Sequence, residues 1–234
     1  MKVSVAIPVY EMSGRGVECL EYNFKKIYKQ TFKDFEVVVS DHSKDDKILL
    51  LCDNWNEKLD IKYVKNEEDR GSLASNLNNC IKNCNGDIIK FIMEDDFFYC
   101  NSSLEKIVDS FDMDRGWLVS SYFHTEDRIK LFNLHIPEIS KDMLFINLIG
   151  TPTCLSIRNN IDIEFDLALN WYIDSDFYTQ LYKAHGKPII LREPTAVQLL
   201  WEGQTTNTII NEKIISDEEI YLMKKYKAYR NVKN

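Results

Sequence analysis

The segment from Gly86 to Asp96 constrains this chain most. A β-branched, apolar run ends abruptly there in three acids, Glu94, Asp95 and Asp96. Such a run after Gly-Asp predicts a buried β-strand. Acids crowded at its end repel one another unless a cation lies among them. Ligands bind at the carboxyl ends of strands in open α/β sheets, and carboxylates with substrate phosphates suit Mg²⁺ or Mn²⁺. The segment therefore predicts a divalent-metal site, although a strand that runs into a charged surface turn explains these residues equally well.

The first half of the chain alternates strand and helix four times. The strand patterns are 3–9, 35–40, 61–64 and the run just described, and helical spacing follows each of them. This alternation predicts an α/β fold with a mostly parallel sheet and helices on both faces. Helix starts are expected at Ser43, at the capping box Ser102-x-x-Glu105 and at Ser216.

The second half is less regular. We expect a strand pair at 117–123 and 129–134, a short helix at 142–148, a strand at 153–158, a helix at 173–185, and strands at 188–191 and 195–201. Only 8 Gly and 5 Pro in 234 residues leave little room for a flexible linker. We therefore expect one domain over 1–234.

Composition excludes some classes of function. The net charge of −8 disfavours nonspecific binding to nucleic acid, which depends on Lys and Arg meeting phosphates. No apolar run approaches the roughly 20 residues that cross a bilayer. The six cysteines are scattered without zinc-ligand spacing, so we expect reduced, mostly buried thiols and a cytoplasmic protein.

Polar side chains follow three of the predicted strands and together describe one rim. Tyr10 and Glu11 follow the first strand, Asp41 the second, and Asp95 and Asp96 the fourth. An aromatic ring can stack on a base, a carboxylate can accept hydrogen bonds from a base or ribose, and an acid can hold a metal on a pyrophosphate.

Four segments together resemble the nucleotide-binding half of family 2 glycosyltransferases with the GT-A (Rossmann-like) fold. They are Val3–Tyr10, Phe35–Asp45, Asn66–Asn76 and Gly86–Asp96. The resemblance covers roughly the first hundred residues well and the rest loosely. It implies a nucleotide-binding half at 1–100, a less regular acceptor half at 101–210 and a C-terminal helix at 211–234.

The resemblance also implies an activity. Members transfer a sugar from a nucleotide-activated donor, usually with inversion at the anomeric carbon. We therefore expect a nonprocessive, metal-dependent transferase that uses Mn²⁺ or Mg²⁺ and a nucleotide-sugar donor, with a UDP-sugar favoured. The expected acceptor is a glycan or lipid-linked hydroxyl, in surface polysaccharide biosynthesis.

Site residues follow from matching positions in the family. Asp96 is the first candidate for the metal and Asp95 the second. The donor-binding candidates are Pro8, Tyr10, Glu11, Asp41, Arg70, Asn76 and Asp95. Two positions depart from the family pattern. Many members carry Asp-Asp-Gly-Ser where this chain has Ser40-Asp41-His42-Ser43, so His42 stands at the glycine of that turn, and Met93 stands where many carry an Asp.

The expected base lies near the start of a helix in the second half. Trp171–Phe177 resembles that segment, which makes Asp174 the first candidate for the catalytic base and Asp176 the second. Acids in the first turn of a helix also favour its dipole without any catalytic role. Trp171 and Trp201 can stack on sugars or fill the core, and Glu202 or Gln204 can join a loop over the diphosphate.

Three alternatives stay open. Basic residues of the C-terminal segment can dock on an anionic membrane surface, or they can form a solvated helix end; they are Lys224, Lys225, Lys227, Arg230 and Lys233. A noncatalytic sugar-nucleotide-binding protein of the same fold would explain Met93 and His42. A nucleotidyltransferase also combines nucleotide, metal and acids, but Gly14-Arg15-Gly16 is a thin version of its basic loop.

Overall fold

The computed structural model describes residues 1–227. Within them one sheet contains nine strands: β1 Val3–Val9, β2 Phe35–Asp41, β3 Ile61–Lys65, β4 Ile88–Phe91, β5 Phe97–Phe98, β6 Trp117–Thr125, β7 Phe132–His135, β8 Leu155–Arg158 and β9 Ile189–Leu199. The helices are α1 Gly16–Tyr28, α2 Lys47–Trp55, α3 Leu73–Asn83, α4 Ser103–Ser110, α5 Ile173–His185, α6 Thr205–Thr208 and α7 Glu212–Tyr226.

The first four strands form the parallel part of the sheet. β1 lies between β2 and β4, and β3 pairs with the far side of β2. Successive β1 side chains alternate between the two sheet faces, so Val5 and Ile7 enter one hydrophobic cluster and Ala6 the other. Parallel strands end at a common edge, and this edge carries the residues that follow β1, β2 and β4.

Helices cover both faces of the sheet, as predicted. Buried residues of α1, α2 and α4 belong to one hydrophobic cluster, and those of α3, α5 and α7 belong to the other. In α1, Leu20, Phe24 and Ile27 recur at spacings of four and three and are fully buried. The predicted α/β fold is confirmed.

The second half extends the same sheet, largely in the antiparallel sense. β8 pairs antiparallel with β4, and β6 pairs antiparallel with β8 and β7. β9 runs parallel to β6 and holds the short β5 on its other edge. The strand pair expected at 117–134 is therefore confirmed, whereas the two strands expected at 188–201 form the single strand β9, with shifts of register opposite Ser120 and Ser121.

Several local expectations were wrong. Residues 142–145 form turns and 146–148 have no regular structure, so the helix expected at 142–148 is absent. α2 begins at Lys47 with Asp46 at its N-cap position, so Ser43 lies before the cap and does not cap the helix. Ser102 makes no side-chain cap bond to α4, since Gln30 accepts the hydrogen bond from Leu104 N.

The C-terminal helix begins earlier than Ser216. The Asn211 side chain accepts hydrogen bonds from Lys213 N and Ile214 N, so it is Asn211 that caps α7. The described part of this helix ends at Tyr226, and two of the basic residues noted above, Arg230 and Lys233, lie outside the described residues. No helix within residues 1–227 is long and apolar enough to cross a membrane.

Candidate active site

A cleft of about 1180 Å³ opens at the carboxyl edge of β1, β2 and β4. Residues of both halves of the chain line it. The first half contributes Pro8, Tyr10, Glu11, Arg70, Asn76, Glu94, Asp95 and Asp96, and the second half contributes, among others, Tyr122, Asn147, Gly150, Asn170, Trp171, Asp174 and Gln204. Most of the sequence-predicted site residues are therefore brought together.

The donor-binding candidates differ in what they can offer to a ligand. Tyr10 is 42% exposed, and Arg70 also faces solvent, so both side chains are accessible. Asn76 lies at the cleft but is buried. Its amide oxygen accepts from Ser40 Oγ at 2.6 Å and its amide nitrogen donates to Val9 O at 3.1 Å. Asn76 therefore joins α3 to the ends of β1 and β2.

Asp41 is fully buried and is not among the residues that line the cleft. Its Oδ1 accepts from Ser43 N at 2.7 Å, and its Oδ2 accepts from the Tyr63 hydroxyl at 2.7 Å and from Lys65 Nζ at 3.2 Å. The carboxylate therefore holds the turn after β2 from within. Its predicted contact with a base or ribose stays a prediction.

The acids after β4 lie in a crowded, buried environment. Trp201 Nε1 donates to Asp95 Oδ2 at 2.8 Å. Asp96 is 2% exposed; Leu199 N donates to its Oδ1 at 3.0 Å, and the Thr153 hydroxyl donates to its Oδ2. Burial raises the pKa of both carboxyls, and for Asp96 the charge of Asp95 raises it further. The buried surroundings therefore stabilise the ionised form of these two carboxyls less well than water does.

Glu94 is a third buried acid, to which sequence reasoning gave no individual role. Its Oε2 accepts from Tyr10 N at 3.0 Å, which ties the end of β1 to the loop after β4. Its Oε1 has no hydrogen-bond partner within the described residues. Burial raises the pKa of Glu94 well above its ordinary value. A Cβ at Gly16 would clash with the backbone oxygen of Tyr10 and would also approach Glu94 Oε1 to 2.8 Å, so glycine is required where α1 passes the end of β1 and this acid.

A fully buried lysine lies behind the acids. Lys90 Nζ donates to Thr153 O at 2.5 Å and to Leu155 O at 3.4 Å, and burial lowers the pKa of Lys90 to about 8. Since the Thr153 hydroxyl donates to Asp96, Lys90 supports the residue that orients Asp96. A lysine in the middle of an apolar strand was the sequence signal for this arrangement, but nothing local pointed to Thr153.

The donor set fits a metal that arrives with phosphate. Within the described residues, no cluster of three or more His, Cys, Asp or Glu side chains could hold a metal ion. Mg²⁺ typically binds through one or two carboxylates plus substrate phosphates, which requires no such cluster. Asp95 and Asp96 provide two adjacent carboxylates whose pKa values are raised by burial, so a divalent cation would relieve an existing excess of negative charge.

Asp174 lines the same cleft and lies in the first turn of α5. Its Oδ1 is shielded from solvent and has no hydrogen-bond partner within residues 1–227. Burial raises the pKa of Asp174 to about 7. A carboxyl with this pKa is a suitable proton acceptor near neutral pH.

Asp176, the second candidate for the base, lies elsewhere. It is fully buried against α7 and is not among the residues that line the cleft. Its carboxylate accepts hydrogen bonds from Lys225 Nζ at 2.9 and 3.0 Å, from the Tyr226 hydroxyl at 2.7 Å and from Gln180 Nε2 at 2.8 Å. These contacts are those of a buried ion pair.

The loop after β9 contacts Asp95 through Trp201, which the sequence analysis did not link to the acids. The Trp201 ring lies under the Arg15 guanidinium, 4.6 Å from the ring centroid, while its indole nitrogen donates to Asp95. Gln204 lines the cleft and donates to Leu199 O at 2.9 Å, whereas Glu202 is not among the lining residues. Trp171 lines the cleft and is 40% exposed.

Comparison with solved structures shows the same fold. A *Staphylococcus aureus* TarS structure, residues 1–349 with UDP-GlcNAc, superimposes with a TM-score of 0.71 at 20% identity, over 90% of this chain and 62% of that one. The mannosyltransferase PcManGT from *Pyrobaculum calidifontis*, in complex with GDP-Man and Mn²⁺, gives 0.64 at 18% identity, over 86% and 57%.

Curated relatives match over less than half of this chain. The poly(ribitol-phosphate) beta-N-acetylglucosaminyltransferase TarS of *Staphylococcus aureus* is 30% identical over 97 residues, which is 42% of this chain and 17% of that protein. The GalNAc(5)-diNAcBac-PP-undecaprenol beta-1,3-glucosyltransferase of *Campylobacter jejuni* is 33% identical over 96 residues, which is 41% of this chain and 30% of that protein. The match therefore spans less than a third of either relative.

The model of the family described as "Glycosyl transferase family 2" matches residues 4–178, which include β2 to β4, the acids after β4 and Asp174. This match covers most of the chain. The chain belongs to glycosyl transferase family 2.

Proposed function

We propose that this protein transfers a sugar from a nucleotide-diphosphate sugar to a hydroxyl of a glycan or lipid-linked acceptor, with inversion at the anomeric carbon. One observation carries the proposal: the cleft that holds the acids after β4 also holds Asp174, a carboxyl with a shielded, unpartnered oxygen and a pKa raised to about 7. Diphosphate binding and proton removal thus have separate groups in one cleft.

The donor belongs at the end of the cleft formed by β1, β2 and β4. The exposed Tyr10 ring is available to stack on a base, and Arg70 is available to pair with phosphate. Within the described residues, the lysine and arginine side chains that line the cleft are Lys44 and Arg70, and both belong to this end. The complexes of TarS with UDP-GlcNAc and of PcManGT with GDP-Man support a nucleotide sugar as the ligand.

Asp95 and Asp96 would hold Mn²⁺ or Mg²⁺ together with the diphosphate, as the Mn²⁺ in PcManGT supports. When bound, the cation neutralises charge on the leaving diphosphate. Both Asp96 oxygens already accept hydrogen bonds from the protein, whereas only Oδ2 of Asp95 accepts one from another side chain. We therefore rank Asp95 before Asp96 as the metal ligand, in reverse of the order drawn from the sequence.

The chemistry would need one proton transfer and one displacement. Asp174 removes the proton of the acceptor hydroxyl, whose oxygen forms the new bond to the anomeric carbon. The bond between that carbon and the diphosphate oxygen breaks on the opposite face, and the nucleoside diphosphate leaves with the electron pair. Attack opposite the leaving group inverts the configuration, and the anomeric carbon has oxocarbenium character at the transition state.

The acceptor would bind beside Asp174. Trp171 offers a half-exposed ring on which a sugar can stack, and Asn147 and Asn170 line the same end with neutral polar side chains. This combination suits a saccharide. The relatives in *S. aureus* and *C. jejuni* act, by name, on poly(ribitol-phosphate) and on an undecaprenol-linked glycan, which supports a role in surface polysaccharide synthesis.

A donor panel tests the proposal. Purified protein is incubated with UDP-glucose, UDP-galactose, UDP-GlcNAc and GDP-mannose, with Mn²⁺ or with EDTA, and release of nucleoside diphosphate is measured. We expect metal-dependent hydrolysis of one donor, its loss in Asp95→Asn, and loss of turnover but not of UDP binding in Asp174→Asn. Equal loss of binding and turnover in Asp174→Asn would assign that residue a structural role.

A noncatalytic sugar-nucleotide-binding protein is the second candidate. Met93 stands where many family members carry an Asp, and the protein itself occupies both oxygens of Asp96. Thermal stabilisation by UDP with Mn²⁺ and no turnover of any donor would favour this function.

Peripheral membrane contact through the basic C-terminal segment stays a proposal. Of its lysines, Lys225 already pairs with Asp166 at 2.7 Å and with Asp176 at 2.9 Å, so its charge is used within the protein. Co-sedimentation with vesicles of phosphatidylglycerol, compared with phosphatidylcholine alone, tests the contact.

A further inference from the structure

The C-terminal helix α7 binds the segment that carries Trp171 and Asp174. Glu218 is 5% exposed and lies at this interface. Its Oε1 accepts a hydrogen bond from Asn170 N at 2.7 Å, and its Oε2 accepts from Trp171 N and Tyr172 N, both at 3.0 Å. One carboxylate thus fixes three consecutive backbone amides immediately before α5.

These contacts hold the chain where it enters α5, and they do not cap the helix. A helix cap accepts from the first helical amides, whereas the amides that Glu218 binds precede Ile173, the first helical residue. Tyr172 stands at the N-cap of α5 and makes no side-chain cap bond. Glu218 lies 46 residues further along the chain and accepts the hydrogen bond of Tyr172 N. Charged acceptors form the stronger hydrogen bonds, so this anchor is firm.

α7 also holds the segment on both sides of these amides. The Tyr221 hydroxyl and Lys225 Nζ donate to Asp166 Oδ2 at 2.8 and 2.7 Å, and Lys225 with Tyr226 holds Asp176. The backbone that carries Asp174 is therefore anchored before and after this residue by side chains of one helix.

Asp174 itself has little to fix its orientation. Its Oδ1 has no hydrogen-bond partner within the described residues. A base needs to meet its proton within hydrogen-bond reach, and a misplacement of about 1 Å can cost about 100-fold in rate. The position of this carboxyl consequently depends on the backbone, and the backbone depends on α7.

We propose that Glu218 is a positioning residue for transfer: it sets the Asn170–Asp174 segment, and with it the base and the exposed ring of Trp171, from a helix outside the cleft. The inference rests on the proposed function only in so far as Asp174 is the base.

The test compares Glu218→Gln with Asp217→Asn. Gln keeps the shape but offers one oxygen acceptor, so it cannot accept from all three amides. Asp217 is the adjacent acid on the same helix and is exposed, which makes its variant a matched control. Glu218→Asp keeps the charge on a shorter side chain and serves as a second variant if Glu218→Gln does not fold.

Two readouts separate positioning from general stability. Hydrogen–deuterium exchange of peptides that cover 166–178 should be at least 10-fold faster in Glu218→Gln than in wild type and Asp217→Asn, while β1–β4 stay unchanged. With the donor that wild type hydrolyses fastest, kcat per UDP-binding molecule should fall 10- to 100-fold, with the Kd for UDP within twofold.

The outcomes are distinct. Unchanged exchange at 166–178 overturns the inference, whatever the activity. Faster exchange with unchanged kcat also overturns it, because the segment would then be loosened without consequence. Wild-type protein that turns over no donor defeats the proposed function instead, whereas loss of turnover in Asp174→Asn but not in Glu218→Gln defeats only the inference.

Discussion

Replacing Asp174 by Asn should stabilise the protein in a pH-dependent way. The pKa of Asp174 is about 7 in the folded chain because of burial, against about 3.9 for an unperturbed Asp. The unfolded chain therefore releases this proton at lower pH than the folded chain does. As pH rises from about 4 to about 7, the folded state binds the extra proton and wild-type stability falls by about 1.4 kcal/mol per pH unit. Above about pH 7 the Asp174 carboxyl is ionised in both the folded and the unfolded chain, and the loss of stability stays constant.

The upper limit of this loss of stability is about 4 kcal/mol, from a pKa difference of about three at about 1.4 kcal/mol per pH unit. The residue as a whole is half-buried, with only Oδ1 fully shielded, so screening reduces it to about 2–3 kcal/mol. Asn carries no charge and escapes this cost. The gain of the variant over wild type should therefore be small at pH 4–5 and reach this value at pH 8.

The assay is urea unfolding of wild type and Asp174→Asn at pH 5, 6, 7 and 8. The exposed Asp162→Asn serves as the control and should differ from wild type by a constant amount. A difference between wild type and Asp174→Asn that does not grow between pH 5 and 7 would refute a raised pKa, and with it the argument that this carboxyl is poised as a base. Transfer activity should rise through about pH 7 for the same reason.

Three further substitutions probe the surroundings of the cleft. Thr153→Val removes the hydroxyl that donates to Asp96, and should weaken Mn²⁺-dependent UDP binding about 10-fold or more in calorimetry while UDP binding in EDTA stays the same. Wild-type stability should rise between about pH 8 and 10.4, because burial lowers the pKa of Lys90 to about 8 and the folded chain therefore loses this proton at lower pH than the unfolded chain. Lys90→Met should abolish this rise, which urea unfolding across the same range measures. Gly150→Ala should cost about 2–4 kcal/mol in the same assay, since Gly150 has φ +109° and the new Cβ would lie 2.3 Å from the Tyr122 hydroxyl; a cost near zero would contradict this packing.

The parallel half of the fold was predictable because its signals are local. Strands such as β1 and β2 are apolar runs whose alternate residues reach both faces, and their polar ends had to meet at one edge. The prediction of helix caps was wrong where the hydrogen-bond partner lies far away in the sequence. Ser102 matched a local capping motif, yet Gln30, two residues after the end of α1, accepts the hydrogen bond from Leu104 N.

The candidate site was likewise predictable only where its signals are local in the sequence. The acids after β4 and Asp174 stood out by position and by family resemblance, and they share a cleft. The burial of Asp41 beneath its own turn depends on Tyr63 and Lys65, which belong to the next strand. No spacing rule connects Glu218 with Asn170, because only the tertiary fold brings α7 against the start of α5.

The contacts of α7 also order events during synthesis. Within the described residues, every strand of the sheet is complete once β9 has emerged from the ribosome, and Trp201, which donates to Asp95, follows two residues later. The amides of 170–172 receive their acceptor only after Glu218 has followed. A nascent or prematurely terminated chain that lacks α7 would thus present the cleft acids while the backbone of Asp174 is not yet fixed, and under the proposed function it would bind donor before it could transfer the sugar.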